Sequence, residues 1–236
     1  MLGKVRGKQI CRYVPDYVLY DLETTGVSWN YDEVIEISAV KVRAGKIVDE
    51  FSELVNPGRR IPLQARMVNN ISDDMVAEAP NFCEVLSRFL AFIGDDVLVG
   101  HNIHSFDMKF IYRDCERYFD QTMTNDYVDT LKLAKIVFPA WKHRRLGDLA
   151  EYYGISTAGA HRALADCRMN QQVFELMAKE MNGVGTLGRK PDIKMCPDCG
   201  QPMQKRSGRF GVFWGVLRIS GLQAYGKYLI DMVVRS

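Results

Sequence analysis

Tyr17-Val-Leu-Tyr-Asp-Leu22 is the first stretch with the apolar character and β-rich content of a strand, and it predicts one. Glu33 to Val42 alternates well enough for a second strand. Ala44-Gly45 supplies a turn, and Lys46 to Val55 reads as a third strand that Asn56-Pro57-Gly58 ends. Three hairpin-linked strands predict an antiparallel meander. Beyond it the period changes: Phe82, Val85, Leu86, Phe89, Leu90 and Ile93 recur at helical spacing. Asp96-Val-Leu-Val-Gly100 is a short buried strand, and Phe106, Phe110, Ile111 and Tyr118 open a further helix. Asp126-Tyr-Val-Asp-Thr130 reads as a fifth strand running into a helix that stops near Pro139. Leu146 to Tyr153 is a short helix ended by Gly154, and Ala163 to Met181 a long one ended by Asn182-Gly183. A meander followed by strands alternating with helices predicts an α/β fold with a sheet of mixed direction.

Composition divides the chain. Its 236 residues suit one domain with an appendage, or two small domains. Residues 1–182 carry 22 Lys and Arg against 26 Asp and Glu, whereas residues 183–236 carry 9 against 3. The stretch 183–191 is glycine-rich and without period, so it reads as a linker between a mildly acidic domain (1–182) and a basic tail (192–236). A basic appendage on such a body suggests binding to a polyanion. No apolar run approaches the roughly 18 residues of a membrane span. No leader-like apolar stretch follows the basic N-terminus, and the scattered Cys11, Cys83, Cys115 and Cys167 suit a reducing compartment. A cytoplasmic protein without a membrane association is the expectation.

Three segments carry candidate chemistry. Asp21 and Glu23, in Asp-Leu-Glu-Thr-Thr-Gly, project to one side of a strand. Asp107 ends Gly100-His-Asn-Ile-His-Ser-Phe-Asp, where a strand runs into a helix. Asp166 follows His161 by five residues, in His-Arg-Ala-Leu-Ala-Asp. Five residues turn about 140° on a helix, so the two side chains converge only if His161 precedes the helix proper, which Gly159-Ala160 permits. Four carboxylates from three distant segments suit hard divalent cations, which take oxygen ligands. A histidine suits the general base that deprotonates an attacking water.

The ordered set Asp-x-Glu-Thr-Thr-Gly, His-Asn…Phe-Asp and His-x-Ala-x-x-Asp resembles the DnaQ-like (DEDDh) 3′–5′ exonucleases, including the proofreading subunits and domains of bacterial replicative polymerases. The resemblance covers roughly residues 15–181. It implies an RNase H-like fold, a mixed five-stranded sheet flanked by helices. It implies that Asp21, Glu23, Asp107 and Asp166 bind two divalent cations, Mg²⁺ or Mn²⁺, with His161 as general base. By the same resemblance Thr24, Thr25 and Val27 hold and wedge the terminal nucleotide, and Asn69 contacts it. His101 and Asn102 belong to the second motif. Between Asn102 and Phe106 stand three residues where the family pattern has two, which makes His104 an additional candidate near the site. Asp129-Thr130 and Leu146–Ile155 resemble structural segments of the family. The basic run Lys142-His-Arg-Arg145 precedes His161, and Arg144 and Arg145 are candidates for phosphate-backbone contacts.

In the tail, Cys196-Pro-Asp-Cys199-Gly and the residues through Trp214-Gly215 resemble the first half of a topoisomerase-type zinc ribbon. Arg206, Arg209, Phe210, Phe213 and Trp214 have the basic and aromatic character that single strands require. The second cysteine pair is absent, and two thiolates do not close a tetrahedral site, so zinc is not expected in this chain. Val216 to Tyr225 can be encoded as GTG CTC AGG ATA TCC GGA CTG CAA GCG TAC. Read one nucleotide later, this gives Cys-Ser-Gly-Tyr-Pro-Asp-Cys-Lys-Arg-Thr, the missing half of the ribbon. Residues 216–236 are therefore expected to be a frameshift product.

The leading expectation is a metal-dependent 3′–5′ exonuclease acting on a single-stranded or frayed 3′ end of DNA, with a DNA polymerase as an implied partner. An RNA-directed exonuclease or oligoribonuclease uses the same five residues and stands as an alternative. A non-catalytic nucleic-acid-binding module is a third reading, but four clustered negative charges beside a polyanion would work against it.

Overall fold

The computed structural model describes residues 5–157 and 162–181 in full, with the backbone of two strands at 203–208 and 211–216. The chain divides into two compact units, Met1–Asp192 and Ile193–Ser236. His161, Cys196, Cys199 and the segment 217–236 lie outside the described residues.

In the larger unit a six-stranded sheet forms around the apolar run predicted first, β2 (Tyr17–Thr24). Across the sheet the order is β1 (Gln9–Ile10), β6 (Tyr127–Asp129), β5 (Leu98–Gly100), β2, β3 (Val34–Arg43) and β4 (Lys46–Leu54). The pairs β2–β3 and β3–β4 are antiparallel, which is the predicted meander; β2–β5, β5–β6 and β1–β6 are parallel. The mixed direction is as the alternation of elements implied. The sixth strand, β1, adds two residues to the edge of β6 and is too short to leave an alternation in the sequence.

Seven helices complete the described part of this unit: α1 (Leu63–Asn69), α2 (Asp73–Val76), α3 (Phe82–Ile93), α4 (Asp107–Phe119), α5 (Thr130–Val137), α6 (Leu146–Tyr152) and α7 (Ala163–Met181). The apolar stripes of α3 and α4 form a core with one face of the sheet. There Val85, Leu86, Phe89, Phe110 and Ile111 join Val18, Tyr20 and Leu22. Phe89 is fully buried, 5.2 Å from the Tyr20 ring and 6.0 Å from that of Phe51. Truncating it to Ala costs about 3–5 kcal/mol.

The opposite face is covered by α7, which crosses β2 and β3. Phe174 meets the Tyr17 ring edge-on at 5.1 Å, and Cys167 Sγ donates to the Ser38 carbonyl at 3.3 Å. Since successive strand residues alternate, Tyr17 starts the row that continues through Leu19 to Asp21 and Glu23. The acidic residues therefore stand on the α7 face at the carboxyl end of β2.

Helices α1 and α2 occupy a segment without a predicted element. Leu63, Met67, Val68 and Met75 are exposed and Val76 alone of their larger apolar residues is buried, so no core-facing period marks them. In the smaller unit, β7 (Met203–Gly208) and β8 (Gly211–Val216) form an antiparallel pair.

Candidate active site

Asp166 stands in the first turn of α7, which begins at Ala163. One carboxylate oxygen from each of Asp21, Glu23 and Asp166 lies within 4.8 Å of the other two. Asp107 reaches the same strand from α4, of which it is the first residue. It is 4% exposed, and its Oδ1 accepts the Leu22 backbone N–H at 3.1 Å. That amide lies between Asp21 and Glu23, so the bond docks the start of α4 onto the acidic stretch of β2. Because β2 and β5 run parallel, the site opens at their carboxyl ends, the usual ligand position of open α/β sheets.

The cluster is electrostatically uncomfortable when no cation is bound. Burial and then repulsion from Asp107, Glu23 and Asp166 push the Asp21 carboxyl well above the ordinary carboxylate range. Burial, followed by repulsion from Asp166, Glu36 and Asp107, raises Glu23 to about 8. Asp107 rises to about 7, chiefly through burial, against the lowering effect of its hydrogen bonds. Oxygen donors that converge and repel one another fit hard divalent cations, whose charge would relieve both burial and repulsion.

The remaining candidates sit around this cluster in different ways. Thr24 Oγ1 donates to the Gly26 carbonyl at 2.7 Å, and Thr25 Oγ1 donates to Asp32 at 3.0 Å while accepting the Glu33 amide at 3.0 Å. Both threonines thus shape the turn after β2, where a Cβ on Gly26 would lie 2.5 Å from the Asp32 carboxylate. Val27 projects from that turn, 86% exposed. Asn69, buried at the end of α1, contacts the Thr24 carbonyl at 3.5 Å and accepts the Ile71 amide at 3.0 Å.

The second motif forms a turn instead of extending β5. His101 Nδ1 is 3.0 Å from Thr130 Oγ1, and Asn102 takes a positive φ of 64°. The Asp129 carboxylate accepts the Asn102 and His104 amides at 3.2 and 3.3 Å. His104 is engaged by Tyr127, whose ring stacks on it at 5.6 Å and whose hydroxyl lies 2.5 Å from Nδ1. Arg144 turns its guanidinium to the Phe138 and Pro139 carbonyls at 2.8 and 2.9 Å, closing its own loop. Arg145 is exposed and gives its backbone amide to Asp148 at the start of α6.

Two charged residues at the site were not singled out by sequence reasoning. Glu36 faces Glu23 across the β2–β3 ladder and is 2% exposed, with Arg162 paired to it at 2.8 Å. A glutamate inside the apolar run Val-Ile-Glu-Ile was the available signal.

A mixed sheet with acidic groups gathered at its strand ends defines a nuclease of the RNase H-like class. The chain belongs to the exonuclease family: the family model RNase_T, Exonuclease, matches residues 18–174. It is 38% identical over 169 residues to DNA polymerase III PolC-type of Staphylococcus saprophyticus subsp. saprophyticus, and 39% identical over 171 residues to that of Staphylococcus aureus. Each match covers 72% of this chain and 12% of the relative, so the chain spans about 12% of the length of these curated relatives. Among solved structures, Exonuclease X in complex with 5′ overhanging duplex DNA is 29% identical with a TM-score of 0.56, covering 75% of this chain and 95% of that one. E. coli Exonuclease I in complex with a dT13 oligonucleotide shares the fold, with a TM-score of 0.63 at 17% identity over 72% of this chain and 42% of that one. No helix among the described residues is long and apolar enough to cross a membrane.

Proposed function

We propose that the chain is a 3′–5′ exonuclease that removes mononucleotides from single-stranded or frayed 3′ ends of DNA, in a proofreading or repair role. The observation that carries this reading is the convergence of Asp21, Glu23 and Asp166, with Asp107 docked between the first two. Membership of the exonuclease family supports hydrolysis, and the DNA-bound neighbours support DNA as substrate. Asp21, Glu23, Asp107 and Asp166 would hold two divalent cations, Mg²⁺ or Mn²⁺. When bound, such ions supply Lewis acidity and neutralise charge on the scissile phosphate.

The protein's own groups do the remaining work. The turn built by Thr24 and Thr25 seats the terminal nucleotide, and exposed Val27 separates its base from the next. Asn69 contacts the nucleotide from α1. His101 and Asn102 shape the turn that delivers Asp107, and Arg145 meets the phosphate backbone. His161 takes a proton from water as the water oxygen bonds to phosphorus; the bond from phosphorus to the 3′ oxygen breaks with its electron pair going to that oxygen, which takes a proton from solvent. A replicative polymerase is the proposed partner, consistent with the PolC-type relatives.

The deciding experiment digests matched 5′-labelled DNA and RNA oligonucleotides with Mg²⁺ or Mn²⁺ present. Progressive shortening of the DNA from its 3′ end is the expected result. Shortening from the 5′ end, or faster decay of the RNA, would overturn the polarity or the substrate.

A further inference from the structure

Glu36 is a buried carboxylate for which the reaction has no direct use. Its two oxygens accept three bonds: from Arg162 Nε at 3.2 Å, from Arg162 Nη2 at 2.8 Å, and from the Ala163 backbone N–H at 3.2 Å. It stands in β3 directly across the ladder from Glu23. All three donors come from the two residues at the mouth of α7. Ala163 is the first residue of that helix, and the Arg162 carbonyl accepts the Asp166 amide at 3.0 Å. Arg162 directly follows His161 in the chain.

One side chain of β3 therefore fixes the start of the helix that supplies Asp166 and the residue next to His161. An arginine fork on a carboxylate sets distance and orientation together, which a single ammonium does not. The guanidinium also offsets a negative charge that would otherwise stand beside Asp21 and Glu23. A helix entry can be held by any cap, but here the hold is made to the strand paired with β2, which carries two of the converging carboxylates. The geometry therefore ties Arg162, the residue that follows His161 in the chain, to the strand position opposite Glu23.

We propose that Glu36 and Arg162 form a positioning clamp for His161, acting on the proton-transfer step and not on metal or substrate binding. The inference rests on the reading of His161 as general base, and the test separates the two. Arg162→Lys keeps the counter-charge and loses the fork. The Arg162 side chain is 43% exposed, so the exchange buries no new charge. On a labelled single-stranded oligonucleotide with Mg²⁺, kcat should fall between about 10- and 100-fold, the range for misplacing a catalytic group. KM and the calorimetric affinity for Mn²⁺ should stay near the parent values. Glu36→Gln, which keeps an acceptor for the Ala163 amide, should show the same split and serves if the first variant folds poorly.

The decisive comparison is with His161→Ala. If the clamp works through His161, adding Arg162→Lys to His161→Ala costs little further turnover. Full additivity of the two losses would overturn the clamp while leaving the general base intact. So would a collapse of Mn²⁺ affinity in Arg162→Lys. Normal kcat in His161→Ala alone would instead overturn the reading of His161, and the clamp with it.

Discussion

Asp107 carries two loads that are hard to reconcile without a cation. Its Oδ1 holds the Leu22 amide, which favours the ionised form, yet burial raises its pKa to about 7. Asp107→Asn keeps an oxygen for that amide and removes the charge. We expect it to abolish turnover at saturating Mg²⁺ while melting higher than the parent when both are stripped of metal at pH 8. Turnover retained in the variant would refute its role as a ligand. The pH dependence follows from the same groups. Asp21, Glu23 and Asp107 are acids with raised folded-state pKa values, so the ion-free native protein binds more protons than the unfolded chain. Its stability should therefore fall as pH rises from about 4, the unfolded carboxylate value, to about 8. Melting temperatures in EDTA measure this directly, and the gain from added Mg²⁺ should grow over the same range. For His161→Ala, kcat should drop about 10²–10⁴-fold with metal affinity intact, and the matching ionisation should vanish from the pH–rate profile. These carboxylates could be read from the sequence because each sits in a short motif. Glu36 left only the signal of a glutamate in an apolar run and Arg162 left none, because each does its work through a partner 126 positions away in the chain.

At the scale of elements, α4 has a second duty beyond delivering Asp107. Its Arg113 donates to the Trp29 and Asp32 carbonyls at 2.5 and 2.7 Å and pairs with Glu33 at 3.0 Å and Asp114 at 2.6 Å. The exposed apolar turn of Val27 and Tyr31 is thereby fixed from behind. Asp114 is fully buried, so Arg113→Met leaves it unpaired and should cost about 3–5 kcal/mol in denaturant unfolding. In the fraction that folds, a loosened turn should raise KM for single strands more than it lowers kcat. An unchanged KM would remove the turn from substrate binding. The longer helices were legible because each buries an apolar stripe, and most strands because they carry apolar runs bounded by turn residues, although β4 itself has no buried residue. The short α1 and α2 were not, since all their larger apolar residues but Val76 face solvent. The turn between β5 and α4 was also opaque: its one extra residue is accommodated in a turn organised by Asp129, a residue of another strand.

For the whole molecule, the question is what the basic C-terminal segment adds to the carboxylate cluster of the first unit. Residues 1–182 carry 22 Lys and Arg against 26 Asp and Glu, whereas residues 183–236 carry 9 against 3. Such a charge distribution favours a division of labour, with chemistry in the first unit and non-specific hold on the strand in the second. Each phosphate neutralised on a single strand contributes about −0.7 to the slope of log affinity against log salt. Removing residues 183–236 should therefore leave kcat on a short oligonucleotide unchanged. It should raise KM on long single strands and flatten the salt dependence of that KM. A truncated chain with the parent's KM and salt slope on long DNA would show that the basic tail makes no contact with the substrate.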